Sequence, residues 1–358
     1  MPTSVYFLRK RETLLRRSEV LQAWTYILSG RTPSLSIELT RECPLRCPGC
    51  YAYEDTHLGL PDLTLRQLAD FSGSALVERT LRLIDEYRPL HVSLVGGDPL
   101  VRFRELEEIL PALDRRRIPV LLVTSAFRTI PAHWNALPLL NIAVSVDGLQ
   151  PEHDVRRRPA TYARILNNVR GTKVTIHCTI TGQMMDRPGY LEEFVRFWSA
   201  REETKRIWFS LFTPQRGAVA PEILTPEQRS RAIEELLRLR EGYDLINMDR
   251  RTIEEFRHPP ASPADCIFAR TMLSLSADLE TRITPCQFGG DPDCARCGCF
   301  ASMGMAAIGH LRVLPGVRAG QLFAISELIG TGVNKLRPRR QNRPTTRKPS
   351  GAEGISQT

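Results

Sequence analysis

The chain has 358 residues, 49 Lys+Arg against 40 Asp+Glu and 42% hydrophobic residues, the balance of a globular protein that buries a sizeable core, which excludes disorder throughout. Its nine cysteines are too sparse for a disulfide scaffold, and eight of them fall in two tight clusters, which points to metal. The longest run free of Lys, Arg, Asp and Glu, Thr129 to Val146, is eighteen residues broken by Pro131, Asn135, Pro138 and Asn141, and no membrane span is expected; with no secretion signal at the start, a reducing cytoplasm is expected.

The net charge of +9 belongs to the ends. Residues 1–20 hold five basic and two acidic residues, residues 335–358 hold seven and one, and the 314 residues between them sum to zero. Residues 5–28 place Phe7, Leu8, Leu14, Leu15, Val20, Leu21, Trp24, Ile27 and Leu28 at helical spacing among charges. This predicts an amphipathic helix that packs on the body or lies on a membrane surface. Gly30 and Pro33 end it.

Six short apolar runs follow, Leu35–Leu39, His91–Val95, Pro119–Val123, Ile142–Val146, Val174–Ile180 and Ile207–Phe212, and they read as buried parallel strands. Between them Leu65–Tyr87, Phe103–Arg115, Tyr162–Arg170 and Leu191–Arg201 carry leucine and isoleucine at three- and four-residue spacing, as helices do. Six β/α alternations imply a parallel barrel or open sheet of roughly 200 residues, with ligands where the C-terminal ends of the strands open into loops. Thr225–Glu241 predicts one more helix, Pro259, Pro260 and Pro263 mark a turn or linker, and a cysteine-rich unit begins near Cys266. The expected organisation is therefore an N-terminal helix in 1–33, a barrel in 34–220, a helical connector in 221–264, a cysteine-rich domain in 265–333 and a basic disordered tail in 334–358.

Cys43, Cys47 and Cys50 form a C-x3-C-x2-C loop directly after the first predicted strand. Three thiolates on one short loop can cap three corners of a [4Fe–4S] cubane, leaving the fourth iron open to a ligand, while Gly49 lets the backbone fold closely. A zinc loop is the alternative, and His57 is its candidate for a fourth ligand.

The sequence here resembles the radical S-adenosylmethionine (radical SAM) superfamily. Beyond the three cysteines, the resemblance includes Gly96-Gly97-Asp98-Pro99 after the second strand, with Asp98 where the family usually has Glu. It continues in Thr124-Ser125 after the third strand and in Ser145-Val146-Asp147-Gly148, His153-Asp154 and Arg157 after the fourth. The resemblance covers roughly residues 34–220 and implies a partial (β/α)6 TIM-like barrel in the α/β class. It implies a [4Fe–4S] cluster with S-adenosylmethionine (SAM) at the open iron, reductive cleavage to a 5′-deoxyadenosyl radical, and abstraction of a substrate hydrogen. By carry-over, Gly96, Gly97, Asp98 and Pro99 lie at the methionine amino group, with Ser125 beside them. Ser145 contacts the ribose, Arg157 (or Arg156) the methionine carboxylate, and Tyr51 the adenine. The electron donor it implies is a reductant protein such as flavodoxin or ferredoxin.

Cys266, Cys286, Cys294, Cys297 and Cys299 make a C-x19-C-x7-C-x2-C-x-C series in a segment rich in turn formers. It resembles the shortened, SPASM/twitch-like cluster domains of radical SAM maturases, which implies one auxiliary [4Fe–4S] cluster held by four of the five; a zinc ribbon stays open as the alternative. Asp147, His153 and Cys178 are the candidates for acid–base or substrate contact. For the substrate three readings stand: a peptide or protein, as in maturases; a small molecule or lipid taken at a membrane surface through the two ends; and, last, RNA through the Arg-rich tail. Thirty-four residues precede Leu35, too few for a winged-helix leader-binding module.

Overall fold

The computed structural model describes residues 17–50, 54–159 and 162–336, so Tyr51, the first half of the expected 5–28 helix and the tail from residue 337 lie outside the described residues. Its centre is a seven-stranded, wholly parallel sheet. The strands are β1 (Ser34–Glu38), β2 (His91–Val95), β3 (Val120–Thr124), β4 (Leu140–Ser145), β5 (Val174–Ile180), β6 (Thr204–Leu211) and β7 (Met272–Leu275). They lie in the order β6-β5-β4-β3-β2-β1-β7. All six predicted strands are present, and the α/β partial barrel is confirmed.

Two expectations need correction. The six-stranded count is one short, because β7 comes from the segment assigned to a separate cysteine-rich domain and pairs with β1, Ser36 opposite Ser274. Four residues, Met272–Leu275, are too few for periodicity to announce a strand. Apart from β3, where Leu121 and Val123 alternate with Val120 and Leu122, the strands are also not apolar on both faces. Leu35 and Ile37, Val92 and Leu94, Val174, Ile176, Cys178 and Ile180, and Ile207, Phe209 and Leu211 face one continuous buried core. Their alternates Ser36, Glu38, Ser93, Asn141, Ser145, Thr175, His177, Thr179, Ser210 and Ser274 line the other, inner face.

The helices cover the apolar face. Phe103–Arg115 buries Leu106, Ile109, Leu110 and Leu113 at the predicted spacing. Pro226–Gly242 starts at a capping box made by Thr225 and Gln228. The expected Leu65–Tyr87 helix is split into a turn at Leu65–Gln67 and a helix at Gly73–Tyr87. Asp70 sits in the break, drawn off to accept from Thr40 Oγ1 at 2.9 Å and from Arg102 at 3.1 Å. A helix at Arg17–Leu28 packs on the body, Trp24 meeting Phe323 edge-on at 5.7 Å between centroids. Phe323 belongs to a helix, Ala319–Leu336, that sequence periodicity did not single out and that runs past the expected boundary at 334.

Candidate functional site

The Cys43–Cys50 loop leaves the C-terminal end of β1 and is held by its neighbour strand. Gly97 N donates to Thr40 O at 2.8 Å and Asp98 N to Glu42 O at 2.9 Å, so the glycine turn after β2 is stapled to the residue before Cys43. Gly96 has φ +126°, and a Cβ on Gly97 would overlap the Glu42 carbonyl, so neither position admits a side chain without moving the loop. Cys50 N bonds Cys47 O at 3.3 Å, and Gly49 between them takes φ +62° against Phe212.

Asp98 and Ser125 do not reach outward as expected of cofactor contacts. Asp98 is buried; Oδ1 accepts from Leu100 N at 3.0 Å and Thr124 Oγ1 at 2.7 Å, and Oδ2 from Ser125 N at 2.8 Å and Ser125 Oγ at 2.6 Å. The two residues satisfy each other, and the shorter Asp ties the β2 turn to the end of β3. What the turn offers a ligand is its backbone. Pro99, buried, opens the next helical turn at its first position.

After β4, Asp147 is clamped. Arg156 Nε and Arg157 Nε donate to the same Oδ2 at 3.0 and 2.9 Å, and Thr179 N to Oδ1 at 3.1 Å. Burial opposes the charge, but the two guanidiniums outweigh it and hold the carboxyl well below the usual carboxylate range. Asp147 is thus a fixed anion and no proton shuttle. Arg156 is further tied to Pro48 O and Glu222, both at 3.4 Å. Burial works against the charge of Arg157 too, yet Asp147, Cys47 and Cys50 keep it firmly protonated, which puts its guanidinium in the field of the cysteine loop. Of the two arginines, Arg157 therefore fits the carboxylate role.

The other acid–base candidates face away from the inner surface. His153 is fully buried, accepts from Asp147 N at 3.2 Å, and is pushed by burial to about 4, so it is a neutral part of the packing. Cys178 sits in the apolar core, where burial pushes its thiol well up. Its neighbour His177 has the inner position instead, across from Ser145 in the β4–β5 register, with Nε2 2.9 Å from Ser210 Oγ. Burial holds it neutral, at about 4. Strict alternation of Val174, Ile176, Cys178 and Ile180 with Thr175, His177 and Thr179 was the signal that finds it. Beside His177 in register stands Trp208, stacked on Phe300 at 5.2 Å, its indole N–H buried with no partner among the described residues.

The second cluster closes the same mouth. Gly298 N donates to Thr213 Oγ1 at 2.8 Å and Leu211 N to Gly298 O at 2.9 Å, seating the Cys297-Gly-Cys299 turn on the end of β6. All five cysteines, 266, 286, 294, 297 and 299, line one partly open pocket with Phe268, Pro292 and other apolar groups. Burial pushes the Cys286 thiol up to about 12 and Cys294 to about 11, with neighbouring thiols adding to it. Thiolates in this cavity call for positive charge that the chain itself scarcely supplies, so the donor set fits an iron–sulfur or zinc centre. Among the described residues no three His, Cys, Asp or Glu side chains converge on one metal-ion position.

A buried hub joins the two loops. His57 Nε2 lies 2.7 Å from Glu38 Oε1 and its Nδ1 3.2 Å from Phe288 O, while Ser276 Oγ donates to Glu38 Oε2 at 2.8 Å. Both ring nitrogens of His57 are engaged, which removes it as a zinc ligand for the first loop.

A parallel sheet whose C-terminal mouth carries a three-cysteine loop, a tight glycine turn and an arginine-clamped aspartate makes a partial-barrel site whose residues fit a thiolate-bound cofactor. Residues 37–197 match the radical SAM superfamily. Streptococcus suis SuiB bound to S-adenosylmethionine is 15% identical, with 73% of this chain and 62% of SuiB covered and a TM-score of 0.48. This chain thus spans less than two thirds of that structure's length. SuiB bound to its precursor peptide SuiA is 14% identical, covering 94% of this chain and 76% of SuiB, at 0.48. Native anSMEcpe with bound AdoMet, 14% identical, covers 82% of this chain and 84% of its own at a TM-score of 0.51, a likeness of fold. No curated protein matches the chain.

Proposed function

We propose that this chain is a peptide-modifying radical SAM enzyme with one auxiliary [4Fe–4S] cluster. When bound, a [4Fe–4S] cluster on Cys43, Cys47 and Cys50 with SAM at its open iron supplies the chemistry, reductive cleavage of SAM followed by hydrogen abstraction. Arg157 orients the methionine carboxylate, the Gly96-Gly97 backbone the amino group and Ser145 the ribose. Four of Cys266, Cys286, Cys294, Cys297 and Cys299 hold the auxiliary cluster. Electrons come from a reductant protein of the flavodoxin or ferredoxin kind.

The observation that carries the peptide reading is the polar inner face. The inner face carries Ser36, Ser93, Asn141, Ser145, Thr179 and Ser274 beside Leu121 and Val123, and a lipid acyl chain would offer those polar groups no hydrogen bond. A peptide brings a carbonyl and an N–H at every residue to match those hydroxyls. Trp208 N–H is an unmet donor for one such carbonyl, and neutral His177 beside it accepts or relays a proton.

The test is selection of a random-sequence displayed peptide library on the reconstituted holoenzyme saturated with S-adenosylhomocysteine. Peptides should be enriched, and the enrichment should fall with Trp208→Phe and Ser210→Ala. A library that enriches no better on the wild type than on those variants contradicts the peptide reading. Iron and sulfide of about eight each per chain support the auxiliary cluster; four of each plus one zinc refute it.

A further inference from the structure

The helix Ala319–Leu336 is amphipathic in the wrong sense for a chain surrounded by water. Toward the body it turns Phe323, Ser326 and Gly330, with Ser326 buried and Gly330 so close to the Ile27 carbonyl that no Cβ fits. On the opposite side, about half a turn round, it shows Ile325, Leu328 and Ile329, exposed by 55, 77 and 47%. Leu21 and Leu28, one helical face of Arg17–Leu28, add exposures of 57 and 40%. Scattered exposed leucines are ordinary, but five large aliphatic residues on a single helix pair are not.

The charge of the segments flanking this face is mainly basic. Glu327, the single acidic residue of Ala319–Leu336, is paired with Arg270. Lys335 is exposed near the helix end, and the chain continues from it through Arg337, Arg339, Arg340, Arg343, Arg347 and Lys348. The other helix of the pair begins at Arg17 and follows Arg9, Lys10, Arg11 and Arg16 in the sequence, five basic residues against Glu12 and Glu19. Apolar residues between two basic segments match a surface that is apolar inside and anionic outside. A second copy of the chain would bring like charges together, and RNA offers no partner to Ile325, Leu328 and Ile329.

We infer that the Arg17–Leu28 and Ala319–Leu336 helix pair is a peripheral docking face for an anionic lipid surface, with the aliphatic residues in the interfacial layer and the basic ends on the headgroups. No helix of the described residues is long and apolar enough to cross a membrane, so the contact is superficial. The face holds the enzyme near its substrate's location and takes no part in the chemistry.

The test is flotation of the full-length holoenzyme with vesicles of phosphatidylcholine alone and of phosphatidylcholine with phosphatidylglycerol, alongside sedimentation without lipid. Wild type should float with the anionic vesicles and remain below with the neutral ones. Leu328→Glu should lower partitioning by about tenfold or more, the loss expected when a leucine no longer enters an apolar layer. Lys335→Ala should lower it by about fivefold, the factor for about 1 kcal/mol per basic residue near such a surface. Because Leu328 and Lys335 are exposed, both variants should keep the wild-type melting profile, which separates lost docking from lost folding. Failure of the wild type to float with anionic vesicles overturns the inference, as does a lipid-free dimer that Leu328→Glu dissociates.

Discussion

The two cysteine loops share one mouth of the sheet and are built in opposite ways. The Cys43–Cys50 loop is shaped by the protein itself: backbone bonds from the Gly97 turn fix its start, Arg156 reaches Pro48 O, and Arg157 lends its charge to Cys47 and Cys50. In the second set Cys266 and Cys299 stand at helix starts while Cys286, Cys294 and Cys297 lie in turns, around a largely apolar pocket in which burial raises the Cys286 and Cys294 thiols. The first loop is therefore organised in advance for a reactive centre, whereas the second owes more of its stability to what it holds.

Removing the first loop's thiols should expose that difference most sharply. Cys43→Ala, Cys47→Ala and Cys50→Ala together should bring 5′-deoxyadenosine release to background and leave about four iron and four sulfide per chain. Loss of nearly all iron in that variant would show the two centres to be interdependent. The support under the first loop is the next target. Asp147→Asn leaves two buried guanidiniums facing a neutral group, and denaturant unfolding should show a loss of about 3–5 kcal/mol. A loss below about 1 kcal/mol would mean that the clamp is not what positions Arg157.

Gly97→Ala pushes a methyl into the Glu42 carbonyl, an overpacking of about 1–3 kcal/mol that should also slow SAM cleavage, because the displaced backbone begins the cysteine loop. Cys286→Ala should do the reverse, lowering the melting temperature while SAM cleavage persists. Equal effects of these two substitutions on cleavage would erase the distinction drawn between the loops. A further effect, small at any one pH step, is in the pH dependence of stability. His153, held neutral at about 4, binds a proton in the unfolded chain that it refuses in the folded one. Its contribution is complete above the ordinary histidine value and is lost as pH falls from there toward 4. Across that interval His153→Gln should flatten the stability curve by about 1.4 kcal/mol per pH unit, seen by chemical denaturation.

Most of the sheet and the cysteine spacing of the first loop were legible in the sequence, because short apolar runs and a C-x3-C-x2-C loop are local signals. What was not legible depends on contacts between distant segments. β7 is four residues long and exists through its pairing with β1. The role of Asp98 is set by Thr124 and Ser125, 26 and 27 residues away. His57 is engaged by Phe288, 231 residues on. His177 is the instructive miss: the alternation that places it on the inner face and Cys178 in the core stands in Val174–Ile180, but reading that run as a strand buried on both sides concealed it.

The central claim is that Cys43, Cys47 and Cys50 hold a SAM-cleaving centre. Its most direct test is 5′-deoxyadenosine release by anaerobically reconstituted, dithionite-reduced protein given SAM. The account predicts release by the wild type and by Cys286→Ala, and none by the Cys43, Cys47, Cys50 triple variant. Wild-type protein that carries its full iron and sulfide yet releases no 5′-deoxyadenosine would contradict it.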